Sequence, residues 1–172
     1  MKKTTIHPPH PPTRLKASGP LKFIIRKMKQ EDIKEVHRLI NYFANQGEML
    51  ARSLKQLYEG MRDYFVVEKD NEILGCGSLH LIWGDLAEIK AVAVKERYQN
   101  QGVGKALVKT CLKEAKDLEI KRIFLLTNKP QYFQRLGFKT ISKASLPKRI
   151  WGECLNCSKF PDYCDEVPMM KI

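Results

Sequence analysis

The chain has 172 residues, 43% of them hydrophobic and 29% charged, with 31 Lys+Arg against 19 Asp+Glu for a formal net charge of +12. That length suits one domain, and the apolar content is enough for a core, which excludes wholesale disorder. Eight of the basic residues, from Lys2 to Lys29, lie in the first 30 positions with no acid among them, so the remainder carries only +4. The excess is concentrated outside any recognisable nucleic-acid-reading motif, and no nucleic-acid partner is expected.

Residues 1–20 contain the string HPPHPP and almost nothing to bury, which predicts a flexible or polyproline extension. Its two histidines are too few to hold a metal by themselves. No apolar run approaches the roughly 20 residues that a membrane helix needs. The amino terminus also lacks the apolar centre of a secretory signal. A cytoplasmic protein without a membrane partner is expected, and five cysteines in such a chain suit a reducing compartment better than a disulfide framework.

Residues 21–172 are expected to form a single domain. LKFIIRKM reads as a first strand, with Phe23 and Ile25 on one face. Ile33, Val36, Ile40 and Phe43 recur at helical spacing between Asp32 and Gln46, and Gly47 is placed to end that helix. Ser53 and Gln56 have capping-box spacing and open a second helix through Leu54, Leu57, Tyr58 and Met61. The runs Tyr64 to Glu68 and Ile73 to Ile82 flank the turn residues Asp70 and Asn71, which predicts a hairpin.

A further strand is predicted over Leu86 to Val94, followed by a glycine-containing loop and a helix with Val103, Leu107, Cys111, Ala115 and Leu118 on one stripe. Arg122 to Thr127 reads as a strand, Gln131 to Leu136 as a short helix and Phe138 to Ile141 as a strand. This order defines an α/β protein with a strand, a glycine turn and a helix near the centre of its sheet.

The segment Gln99-Asn100-Gln101-Gly102-Val103-Gly104-Lys105 opens the helix that follows the strand ending Val92-Ala93-Val94. Free backbone N–H groups at a helix start, with glycines leaving room for close approach, suit phosphate oxygens. Lys105 adds a mobile positive charge beside them. A mere structural turn would use the same Gly-x-Gly.

The pattern Gln-x-x-Gly-x-Gly after a strand ending Val-Ala-Val, together with Leu136-Gly137-Phe138, resembles the acetyl-CoA site of the GNAT N-acetyltransferases over about residues 21 to 145. The resemblance implies the GNAT fold: a mixed, mostly antiparallel sheet with a splayed central strand pair and flanking helices. It implies acetyl-CoA as co-substrate, with Gln99, Gln101, Gly102, Val103, Gly104 and Lys105 at the pyrophosphate, Val92, Ala93 and Val94 along the pantetheine arm, and Phe133 nearby. Amides leaving water need such strand-like partners. No metal is implied.

Within that family, Gly47 to Ser53, Gly75 to His80, Ala87-Glu88-Ile89, and Leu126-Thr127 with Gln131-Tyr132-Phe133 resemble the amino-acid acetyltransferase branch, which makes N-acetylglutamate, the first committed step of arginine synthesis. The length resembles the short forms without an amino-acid kinase domain. The partner implied is a small amino-acid substrate; a homodimer is compatible with the sequence.

Acetyl transfer needs a base for the acceptor ammonium and a proton donor for the leaving thiolate. Strand alternation puts Glu88 on one face with Lys90 and Val92, and Glu88 is the candidate base; its competing role is a surface carboxylate paired with Lys90. The resemblance points to Thr127 as the hydroxyl near the sulfur. The tyrosine many relatives use falls here on Phe133, with Tyr132 one residue earlier. The resemblance places Arg52 at the substrate carboxylate, its competing role being an exposed helix-start residue; Lys90 is a second candidate cation, Cys76 a further candidate substrate contact, and His80 reads as a hydrogen-bonded structural residue. Cys154, Cys157 and Cys164 offer three thiols where a structural zinc usually takes four ligands, so free thiols or a disulfide stand ahead of metal. Another small amine or a protein terminus is the alternative acceptor, and a basic nucleic-acid-binding module the alternative class.

Overall fold

A computed structural model describes residues 21–157, 159, 160 and 162–172. The expected extension over residues 1–20 lies outside them. Seven strands form one sheet: β1 (Ile24–Lys27), β2 (Tyr64–Lys69), β3 (Glu72–Trp83), β4 (Leu86–Val94), β5 (Arg122–Thr127), β6 (Lys139–Thr140) and β7 (Val167–Lys171), in the spatial order β1-β2-β3-β4-β5-β7-β6. All neighbours are antiparallel except β4 and β5. The mixed sheet of the GNAT fold is therefore present.

Local chemistry accounts for the elements. The Ser53 hydroxyl accepts from the Gln56 amide at 3.2 Å while the Gln56 side chain accepts from the Ser53 amide at 2.8 Å, fixing the start of α2 (Leu54–Glu59). Asp70 and Asn71 both take positive φ, 49° and 62°, as a two-residue hairpin turn requires. Gly47, at φ 72°, follows α1 (Ile33–Asn45) and supports its end.

Helices α1 and α2 cover one face of the sheet through Val36, Ile40 and Leu57, packed on Val66 and Cys76. The other face carries α3 (Val103–Asp117) and α4 (Pro130–Gln134) through Leu107, Cys111 and Phe133, packed on Ile89 and Leu125. Leu118, expected on the α3 stripe, caps that helix and stands 50% exposed. The stripe ends one turn earlier, at Ala115, because α3 stops at Asp117.

Strand β7 is absent from the sequence-based reading, and it takes the place between β5 and β6. The chain reaches it through a 3-10 segment, Lys148–Asn156, whose Ile150 packs with Leu86, Phe124 and Leu146.

Candidate active site

The parallel pairing of β4 with β5 is short. It runs from Leu86 opposite Arg122 to Glu88 opposite Phe124 and stops. Beyond it both strands continue, β4 to Val94 and β5 to Thr127, and a cleft opens between them. The edges of β4 and β5 that face each other there have no strand between them, so they can receive an extended, amide-bearing chain as an added strand.

A bulge aims the β4 edge. Cys76 of β3 faces Ala93 and Ser78 faces Lys90, so three steps on β4 match two on β3. Ala91 absorbs the extra residue with φ 55°, a left-handed conformation that an alanine adopts only at a cost of about 1–3 kcal/mol. The bulge also overturns the expected alternation. Val92 packs with the α3 core while Ala91 and Ala93 pack with the α1 core, so Glu88 and Lys90 do not share their face with Val92.

The helix α3 end of the cleft is open at its cap. Gly102 caps α3 at φ 87°, and a side chain built there would meet nothing within 4 Å. Gln99 donates to the Val94 carbonyl at 3.1 Å and Gln101 to the Arg97 carbonyl at 2.7 Å, tying both glutamines to the loop backbone. The approach to this loop is held by Glu72, which takes Lys95 at 3.0 Å, Tyr98 at 2.7 Å and the Arg97 guanidinium. Burial would raise the Glu72 carboxyl, but these three donors outweigh it and hold it at about 2. Val103, by contrast, is a core side chain, so only its backbone can serve a ligand. Lys105 is exposed beside the loop.

Glu88 sits where the strands part, and its side chain is 12% exposed. Burial pushes its carboxyl above the usual range, against the pull of the Lys90 ammonium at 3.7 Å. Thr127 ends β5 on the opposite wall; its hydroxyl oxygen accepts from the Lys129 amide at 2.9 Å, which leaves the hydroxyl proton free to be donated. Phe133 also lines the cleft. Tyr132 is brought elsewhere: a side chain on Gly104 would stand 3.0 Å from its hydroxyl, at the start of α3.

At the other end, Arg52 and Lys90 come together as expected, joined by a residue that was not. Glu153, from the 3-10 segment, accepts from Arg52 through Oε2 at 2.8 Å and from Lys90 through Oε1 at 3.1 Å. Its partial burial would raise the carboxyl, yet the Arg52 hydrogen bond and the two positive charges hold it at about 2. Asn41 clamps the Arg52 backbone, donating to its carbonyl at 2.8 Å. The cleft is not predominantly positive: Glu48, Glu88, Glu153 and Glu166 line it with Arg52, Lys90 and Lys129, and Lys129 is bound to Glu48 at 2.6 Å.

Cys76 is corrected. It is fully buried under the bulge, its thiol 3.6 Å from the Ala91 carbonyl and pushed up to about 12 by burial, out of reach of a substrate. His80 bonds Asp63 at 2.6 Å through Nδ1. Cys154, Cys157 and Cys164 are free thiols, and no cluster of metal-ligating side chains occurs among the described residues.

A sheet that parts beside a bulged strand, with a glycine cradle at the following helix, is the architecture of an acyl-CoA-using acetyltransferase. The Acetyltransferase (GNAT) family pattern matches residues 22–138, and the chain belongs to this family of acetyl-CoA-dependent N-acetyltransferases. It is 33% identical over 147 residues to an uncharacterised N-acetyltransferase of Chlorobaculum tepidum, covering 86% of this chain and 94% of the relative. It is 32% identical over 133 residues to the amino-acid acetyltransferase of Mycobacterium tuberculosis, covering 76% of each. The N-acetylglutamate synthase of Neisseria gonorrhoeae, crystallised with coenzyme A and N-acetyl-glutamate, matches with a TM-score of 0.80 and 25% identity over 90% of this chain and 36% of that one.

Proposed function

We propose that this acetyltransferase acts on the α-amino group of L-glutamate or a close analogue such as glutamine, as the first step of arginine biosynthesis. The observation that carries the reading is the convergence of Glu88, Arg52 and Lys90 on one face of the parted strands. The similarity to relatives named amino-acid acetyltransferase supports it.

Acetyl-CoA supplies the acetyl group as a thioester; the protein positions it and manages protons. The Gln99 to Lys105 loop holds the phosphates, and the free edge from Val92 to Val94 takes the pantetheine amides. The acceptor enters as an ammonium, which cannot attack a carbonyl. Glu88 removes one proton, directly or through a water, and its raised pKa makes it a stronger base than an exposed carboxylate. The amine nitrogen then attacks the thioester carbon, the carbon–sulfur bond breaks, and the surplus proton of the attacking nitrogen passes to the departing thiolate, leaving the amide and free CoA thiol. Thr127, its oxygen already engaged by the Lys129 amide, directs its hydroxyl to the sulfur or the carbonyl oxygen. Arg52 and Lys90, both bridged to Glu153, are the cations that stand at the acceptor end of the cleft.

The test is release of free CoA measured across the twenty amino acids with the wild type, Glu88→Gln and Arg52→Ala. Acceleration by glutamate or glutamine, lost in Glu88→Gln and weakened in KM by Arg52→Ala, is the expected result. Absence of acceleration by any amino acid would remove the acceptor assignment.

A further inference from the structure

Arg52 and Lys90 are the cations an acidic acceptor would use, and both are already engaged by one carboxylate. That carboxylate is 46% exposed, and its position is set by the two cations and by the buried residues around it in the chain. Residues three apart in a 3-10 helix stack on the same side, so Ile150, 8% exposed against Leu86 and Phe124, turns Glu153 toward the same face of the sheet. Cys154 follows as a second buried anchor. Each Glu153 oxygen takes a different cation, so no oxygen is spare and neither cation is left to itself.

We propose that Glu153 is the specificity-determining residue of the acceptor site: its carboxylate holds the place beside Arg52 and Lys90 that an acceptor's side-chain carboxylate would need, so the site favours an uncharged amide side chain over the isosteric acid. This deepens the amino-acid reading above and rests on it. An incoming carboxylate competes with one that is already part of the chain and therefore present at high effective concentration. It also brings a second negative charge against Glu153, where like charges at short range oppose each other. An amide of the same shape meets neither penalty. The α-carboxylate is common to both acceptors and cancels from their comparison.

Glutamate and glutamine differ by this one group, so the ratio of their kcat/KM values reads Glu153 directly. Glu153→Gln, with Glu153→Ala as a second removal of the charge, is expected to raise the glutamate-to-glutamine ratio at least tenfold relative to wild type. Glu153→Asp, which keeps the charge, is expected to leave the ratio within about threefold of wild type. A structural role would lower both acceptors together, so an unchanged ratio in both charge-removing variants would overturn the proposal. If the wild type turns over neither amino acid, or Arg52→Ala leaves KM for both unchanged, the acceptor reading fails first and the proposal with it. Those failures show in the wild type and at Arg52, and so are separable from a failure at Glu153.

Discussion

The two ends of the cleft are built in opposite ways. The acetyl-CoA end comes from one continuous stretch, β4 through the start of α3, and its loop is tied largely by neighbours close in sequence, Gln99 on Val94, Gln101 on Arg97 and Gly102 at the cap, with Glu72 of β3 bracing the approach from 23 to 26 positions away. The acceptor end is assembled from segments far apart. Arg52 reaches Glu153 across 101 positions, and Lys129 reaches Glu48 across 81. One end is a backbone cradle whose chemistry is the same for any acceptor. The other is a set of side-chain charges that can be changed one at a time without touching the cradle. On the function proposed above, the reaction shared by the family belongs to the first end and the choice of acceptor to the second.

If that division holds, the largest effect should come from the group standing between the ends. Glu88→Gln is expected to lower kcat by about 10²–10⁴, the usual contribution of a general base, while acetyl-CoA affinity measured by titration calorimetry stays within error. The pH profile gives the sign. A base must be ionised, so activity falls as pH drops through the Glu88 pKa, and burial moves that limb above the ordinary carboxylate range. Loss of the limb in Glu88→Gln would identify it; a limb that survives belongs to another group.

A smaller effect confined to one end is expected at Gly102. Valine there must adopt φ 87°, which a β-branched residue resists by about 1–3 kcal/mol. The loop would shift away from its present path, and KM for acetyl-CoA should rise by roughly tenfold or more, since about 1.4 kcal/mol is a factor of ten. The ratio of glutamate to glutamine turnover should not move. A change in that ratio would show that the two ends are not independent.

Thr127→Val tests the wall of β5 with a volume-matched change that removes one hydroxyl. It leaves the Lys129 amide without its acceptor and the leaving group without a donor. One hydrogen bond is worth about 0.5–1.5 kcal/mol net, so kcat is expected to fall about three- to tenfold with KM little altered. A drop confined to KM would make Thr127 a binding group instead.

The same contrast explains what the sequence disclosed. Where structure is set by near neighbours it was legible: β5 runs over Arg122–Thr127 as its apolar pattern indicates, α2 begins at its Ser53 capping box, and the strand-loop-helix of the cofactor end lies where the motif puts it. The bulge was not legible, because Ala91 is not a residue whose type announces positive φ; only the β3 register, with Cys76 and Ser78 spanning one residue fewer than Ala93 and Lys90, requires it. Strand β7 was hidden for a related reason. It is five residues long, carries Pro168 and earns its place through pairs with β5 and β6 on both sides, such as Met170 with Phe124 and with Lys139. Glu153 had no signal at all beyond being an acid two residues after a tryptophan in an amphipathic stretch; its meaning lies in cations that only the fold brings to it.

Tyr132 offers the finest cut between the two ends. It is the neighbour of the position at which many GNAT enzymes carry a tyrosine acid, yet its hydroxyl faces Gly104 at the start of α3, while its neighbour Phe133 lines the cleft. Burial raises the phenol further above its ordinary value, so it stays protonated at neutral pH and could donate, but from the cofactor end. Tyr132→Phe keeps the ring that packs edge-on against Phe133 with centroids 5.0 Å apart and removes only the oxygen. The expected outcome is a change in kcat of less than about threefold, with any larger effect appearing in KM for acetyl-CoA, because a hydroxyl at Gly104 can help only what binds the α3 start. A fall in kcat greater than that of Thr127→Val, at unchanged KM, would move the proton donor from β5 to α4 and place the thiolate nearer to the helix than the geometry of Glu88 and Thr127 requires.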